Sequence, residues 1–216
     1  NELVMRMPYT RHVVPAIIDE YARVLSERFL ARKKVVLLDA DNTLWGGIIG
    51  EDGIDGIQID YQFPGIVHRK FQRQLLELRS SGLLLALVSK NNEADVREAF
   101  DKLDMPLKWG SFAAIRANWI PKSENIAAIA NELNVGLDSM IFVDDNPFEI
   151  EQVRTAHPAI DCYQFDGRNA ANALSLLFNA TRLAAWAITD EDASKSEQYA
   201  QEAQRKKIES TAGSVE

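Results

Sequence analysis

The chain is short of the features that mark secreted, membrane-bound or nucleic-acid-binding proteins. It has one cysteine, Cys162, so no intramolecular disulfide can form, which fits a reducing, cytoplasmic setting. No apolar run is long enough to span a bilayer, and residues 1–10 do not read as a secretory signal. Positive charge is in deficit: the formal net charge is −8, which argues against a nucleic-acid partner but leaves room for a phosphate held by local charges and a metal. No internal repeat is present.

What the chain does have is apolar material, 46% of its 216 residues, enough for the core of one α/β domain. Val14, Ile17, Ile18, Tyr21, Val24, Leu25 and Phe29 recur at helical spacing and predict a helical extension over residues 1–32. Val35-Val36-Leu37-Leu38 is a short continuous apolar run, as in a strand covered on both faces. A helix follows on Val67, Phe71, Leu75 and Leu78, stopped by Ser80-Ser81-Gly82. Further strands are expected at Leu83–Val88, Ser111–Ile115, Met140–Val143 and Ile160–Phe165. Helices are expected after Asn92, from Pro121 through Leu133, from Asn146-Pro147-Phe148-Glu149 and over Ala171–Phe178. The Asn cap, Pro and Glu of the third of these make a clean helix start. Strands alternating with helices predict a doubly wound parallel sheet over residues 33–188. Residues 45–60 carry five glycines and break the alternation, which predicts a Gly-rich flap or hairpin after the first strand. Residues 189–216 form a charged tail.

Ligands of open parallel sheets bind outside the carboxyl ends of the strands, where this chain puts its polar residues. The first strand ends in Asp39-Ala40-Asp41-Asn42-Thr43, the second in Ser89-Lys90-Asn91-Asn92 and the fourth in Asp144-Asp145, while Lys122 opens a helix. Singly these have plain readings: Asp-x-Asp with Asn and Thr is good turn chemistry, Ser89 a turn hydroxyl, Asp144-Asp145-Asn146 a loop and cap, Lys122 a solvated charge. Together, Asp39, Asp41, Asp144 and Asp145 would repel one another at one sheet edge, and a divalent cation with a taste for carboxylate oxygen, Mg²⁺, relieves that. Lys122 in the first turn of a helix opposes the macrodipole and is better explained if it faces Asp39 or a phosphate.

The order strand-Asp-x-Asp-x-Thr, strand-Ser, Lys, strand-Asp-Asp resembles the haloacid-dehalogenase-like superfamily of phosphotransferases across residues 34–165. The resemblance implies a sheet of order 3-2-1-4-5 and Mg²⁺ held by Asp39, the Asp41 carbonyl, Asp144 and Asp145. Asp39 would be the nucleophile that becomes an aspartyl-phosphate, and Asp41 the general acid and base. Thr43, Ser89, Lys90, Asn91 and Lys122 would bind phosphate, and Glu149 would support the metal site from behind. Receiver domains use similar residues in a different chain order. The stretches Asp39-Ala40-Asp41-Asn42-Thr43-Leu44-Trp45-Gly46-Gly47, Gly50-Glu51-Asp52-Gly53, Ser89-Lys90-Asn91-Asn92, Trp119-Ile120-Pro121-Lys122 and Asp144-Asp145-Asn146-Pro147 resemble the FkbH-like branch. That branch implies a phosphorylated three-carbon acid, such as 1,3-bisphosphoglycerate, as substrate and an acyl carrier protein as partner in polyketide assembly. Many of its members place Cys where this chain has Val88. A general phosphatase without a cap domain and a non-catalytic interaction module are the other readings. The connections between Asp41 and Ser89 and between Ser89 and Lys122 are too short for a separate cap domain, and Trp45 and Trp119 are expected to wall the entrance.

Overall fold

A computed structural model describes residues 13–29 and 33–179. The sheet is built from β1 (Val35–Leu38), β2 (Leu84–Ser89), β3 (Ala114–Ala117), β4 (Met140–Asp144) and β5 (Asp161–Gln164). All neighbours pair in parallel, in the order β3-β2-β1-β4-β5. The helices are α1 (Val13–Phe29), α2 (Ile49–Gly56), α3 (Gly65–Ser80), α4 (Glu93–Lys102), α5 (Lys122–Leu133), α6 (Pro147–Ala156) and α7 (Ala170–Asn179).

The apolar run of β1 is explained by two cores. Val36 and Leu38 join Leu85, Leu87, Ile141 and Val143 against Phe71 and Leu75 of α3, Val96 and Phe100 of α4 and Leu176 of α7. Val35 and Leu37 join Leu84, Ala86, Met140 and Phe142 against Ile126 and Ile129 of α5 and Ile150 and Val153 of α6. Successive strand residues point to opposite faces, so a strand buried on both faces is apolar throughout. α1 carries exposed Ile18, Tyr21 and Leu25. The expected tail over 189–216 lies outside the described residues.

One expectation is corrected. The third strand begins at Ala114 rather than Ser111, and a short 3₁₀ turn occupies Trp109–Ser111. Trp109 and Phe112 are drawn edge-on to Phe100 of α4, at centroid distances of 6.0 and 5.4 Å, so strand pairing starts only after them, with Ala114 opposite Ala86. The Gly-rich stretch after β1 leaves the alternation of strands and helices, as its composition predicts. It closes through an antiparallel bridge between Gly46 and Gln58 and contains α2, kinked at Gly53. Ile49 of α2 is buried, and Ile54 and Ile57 pack on the core. Glu51 and Asp52 in its first turn complement the helix dipole. Among the described residues no separate cap domain interrupts β1–β2 or β2–β3.

Candidate active site

The carboxyl ends of β1, β2 and β4 and the start of α5 meet in an open cleft of about 370 Å³. Lining it are Asp39, Asp41, Ser89, Lys90, Asn91, Lys122, Asp144, Asp145 and Glu149, so tertiary folding brings together all but one of the expected site residues. The exception is Thr43, which is fully buried with Oγ1 lacking a partner; its carbonyl bonds the buried His68 Nδ1 at 3.0 Å.

Asp39 follows β1 and is nearly buried. Its Oδ1 accepts from Ser89 Oγ at 2.9 Å and from Lys122 Nζ at 2.7 Å. The same ammonium donates to Asp144 Oδ2 at 2.5 Å. Lys122 is only 4% exposed; burial alone would lower its pKa, but the two carboxylates outweigh it and hold the ammonium well above its ordinary value. Starting α5 at Lys122 aims a long side chain from one edge of the site across the ends of β1 and β4.

Oxygens of Asp39, Asp144 and Asp145 lie within 4.8 Å of one another. One ammonium cannot neutralise three carboxylates. Burial, then repulsion from Asp39, pushes Asp144 up to about 7 despite Lys122, and the same two causes push Asp145 up to about 6. A hard dication would supply the missing charge, and this all-oxygen donor set with space beside it fits Mg²⁺.

Asp41 stands outside that trio. Its Oδ1 accepts from Trp45 Nε1 at 2.9 Å and from the Ile49 main-chain N–H at 3.1 Å, and its Oδ2 from Asn91 Nδ2 at 2.8 Å. Burial raises its pKa, opposed by these three donors, with a smaller push from Asp39. Trp45 is therefore not a wall of the entrance. It is fully buried, edge-on to Phe100 at 5.6 Å, whereas Trp119 is 70% exposed and donates to Asn92 Oδ1 at 3.2 Å.

Lys90 is paired with Glu149, Nζ to Oε1 at 2.7 Å. Glu149 is buried with Oε2 lacking a partner, and it stands in the first turn of α6, where the dipole favours a carboxylate. Asn146 caps α6 by accepting from Phe148 N, and Asp144 Oδ1 accepts from Asn146 N at 2.9 Å. The cleft also takes in Asn42, Ile48, Asn146 and Pro147, which sequence reasoning did not single out as lining. Asn42 had a readable signal: Asn is among the few residues that tolerate the left-handed region, and its φ is 53°.

The sheet order, with acids after β1 and β4, a serine ending β2 and a lysine opening α5, defines an open, doubly wound parallel α/β fold with its site at the carboxyl ends of the strands. Within that class the chain is similar to the N-terminal part of a Bacteroides fragilis protein, a structure containing a phosphatase domain complexed with Mg. The identity is 35% and the TM-score 0.71, over 77% of this chain and 45% of that one, so the chain spans under half the length of that relative. Lower similarity extends to 3-deoxy-D-manno-octulosonate 8-phosphate phosphatase from Moraxella catarrhalis, at 15% identity and TM-score 0.44 over 83% of this chain and 96% of that one. No family model and no curated protein matches the chain.

Proposed function

We propose that this chain is a Mg²⁺-dependent phosphotransferase working through an aspartyl-phosphate on Asp39. The carrying observation is the convergence of Ser89 and Lys122 on one oxygen of a buried carboxylate, with a second carboxylate, Asp41, held beside the same cleft. Mg²⁺, held by Asp39, Asp144, Asp145 and the Asp41 carbonyl, would offset phosphoryl negative charge. Ser89 and Lys122 orient the phosphoryl oxygens, with Asn91 bracing Ser89 Oγ at 3.1 Å. A carboxylate oxygen of Asp39 attacks phosphorus and the bond to the leaving oxygen breaks. Asp41 gives that oxygen its proton. Asp41 then takes a proton from water, whose oxygen attacks phosphorus, and the Asp39–phosphorus bond breaks to release phosphate.

The substrate we propose is a phosphorylated three-carbon acid such as 1,3-bisphosphoglycerate: its phosphoester at the third carbon is hydrolysed through Asp39, and its acyl carbon passes to the thiol of an acyl carrier protein, the C–S bond forming as the C–O bond to the 1-phosphate breaks and the thiol proton leaving with that phosphate. This reading is supported by the Trp45-Gly46-Gly47 and Gly50-Glu51-Asp52-Gly53 stretches and by a cleft with no cap domain among the described residues. Exposed Phe148 lies between the cleft residues Pro147 and Glu149, and exposed Trp119 and Ile120 come just before Lys122 in the chain, which suits a large partner. Incubation with 1,3-bisphosphoglycerate and a carrier protein, following phosphate release and carrier mass together, tests it. Phosphate without a carrier adduct favours a general phosphatase without a cap. Asp39→Asn is expected to lose Mg²⁺-dependent phosphate release by about a thousandfold or more, since an amide cannot form the covalent intermediate; near-normal turnover would refute the mechanism.

A further inference from the structure

Trp45 heads the fully buried side chains by volume. A hydrocarbon ring would fill the same space against Phe100, but an indole brings an N–H that must find an acceptor when buried. Its acceptor is Asp41 Oδ1, at 2.9 Å, and that same oxygen also accepts from Ile49 N at 3.1 Å. An oxygen taking two N–H donors has both lone pairs engaged. Asp41 Oδ2 takes one donor, Asn91 Nδ2 at 2.8 Å, and keeps a lone pair.

We infer that Trp45 is a positioning residue for proton transfer: its indole N–H, with the Ile49 N–H, locks Asp41 Oδ1 and so presents Oδ2 as the oxygen that gives up the proton. This rests on the proposed reading of Asp41 as general acid. In the step concerned the Oδ2–H bond breaks, the proton goes to the leaving oxygen, and the electron pair of the phosphorus–oxygen bond passes to that oxygen. The fold supplies the two locks from one short stretch: Trp45 comes straight after the β1 turn, with an isolated bridge between Asp41 and Trp45, and Ile49 opens α2. The Gly-rich segment thus serves as a brace on Asp41, seated on the core.

The test compares kcat/KM for two similar esters, phenyl phosphate and 4-nitrophenyl phosphate. This ratio covers the steps up to phosphoryl transfer to Asp39, before water enters. Phenolate is the more basic leaving group and depends more on protonation. Trp45→Phe, which keeps a ring and removes the N–H, is expected to cut kcat/KM about tenfold for phenyl phosphate and about threefold or less for 4-nitrophenyl phosphate. Asp41→Asn is run alongside. If Asp41→Asn shows that contrast and Trp45→Phe lowers both esters equally or neither, Trp45 only packs, while the reading of Asp41 stands. If Asp41→Asn itself shows no contrast, the general-acid reading fails and this inference falls with it. A second measurement covers misfolding of Trp45→Phe. In the wild-type protein the Trp45 indole N–H should resist hydrogen exchange far longer than that of exposed Trp119, and Asp41→Ala should shift its resonance. Exchange as fast as at Trp119 would overturn the inference.

Discussion

Cys162 sits half-buried on β5, its Sγ pointing to the Ile160 carbonyl at 3.7 Å, among residues packed on the α5–α6 side of the sheet. Burial pushes the thiol up to about 11, only partly countered by Arg154. Such a thiol is protonated near neutrality and is a poor nucleophile. Cys162→Ser should therefore keep Mg²⁺-dependent phosphate release within about twofold of wild type, as expected for a side chain whose role is packing. The same variant bears on acyl transfer. If it still loads a carrier, the acyl group does not pass through this cysteine; an acyl-enzyme seen by mass in the wild type and lost in the variant would show that it does. Lys122 makes the complementary point at the same scale. It pairs with two carboxylates while 4% exposed, and breaking a buried pair by removing one partner is costly because the other charge is stranded.

Between β1 and α3 the chain must turn sharply twice within a few residues of Asp41. Gly47 takes φ +96°, a left-handed value that L side chains avoid. An added Cβ there would lie 3.1 Å from Asp52 Oδ2 and 3.2 Å from the Gly56 carbonyl, and Asp52 Oδ2 already accepts from Ile48 N at 2.8 Å. Gly47 is also tied to Asn42, N to Oδ1 at 3.1 Å. Gly47→Ala should cost about 1–3 kcal/mol from backbone strain and should lower turnover, because moving Ile48–Ile49 withdraws a donor from Asp41 Oδ1. Gly110→Ala, where nothing lies within 4 Å of the new Cβ, is the control. Denaturant midpoints and turnover on both variants check this, and equal effects at the two glycines would contradict it.

For the molecule as a whole, the site is a store of electrostatic tension. Asp144 and Asp145 are raised from 3.8 to about 7 and about 6, so the folded protein holds their protons more tightly than the unfolded chain does. By linkage, the stability they contribute is fully present below about pH 3.8 and is lost as pH rises through about 6 to 7. Above that range the metal-free protein carries mutually repelling buried carboxylates. A dication competes with those protons, so Mg²⁺ should stabilise more at pH 8 than at pH 5. At a hundredfold excess over its Kd, Mg²⁺ should raise Tm by about 5–10 °C at pH 8, and by about half of that or less at pH 5. Thermal scans with Mg²⁺ and with chelator at both pH values measure the difference. Equal shifts would mean that these carboxylates are not the ligands. No helix among the described residues is long and apolar enough to cross a membrane.

The sequence by itself determined the alternation of elements and the strand ends that carry chemistry, because both depend on local information. The run from Val35 to Leu38 followed by Asp39 is a buried strand meeting its polar end, and Asn146-Pro147-Phe148-Glu149 starts a helix whose Asn cap accepts from Phe148 N as its chemistry requires. What only the tertiary structure decided are properties of pairs far apart in the chain. Lys33 and Lys122 both end up buried, and only Lys122, placed in the first turn of a helix, carried a sign of this in the sequence. Lys33 Nζ is spent on the Asp138 carbonyl at 2.6 Å and Asp161 at 3.2 Å, whereas Lys122 reaches two site carboxylates because α5 begins beside them. β3 starts later than the strand pattern predicts because Trp109 and Phe112 answer to Phe100 of α4. Trp45 lies inside rather than at the entrance for the same reason: Phe100 holds its ring in the core while its N–H bonds Asp41, two demands that meet in one side chain only when β1, α2 and α4 are folded together.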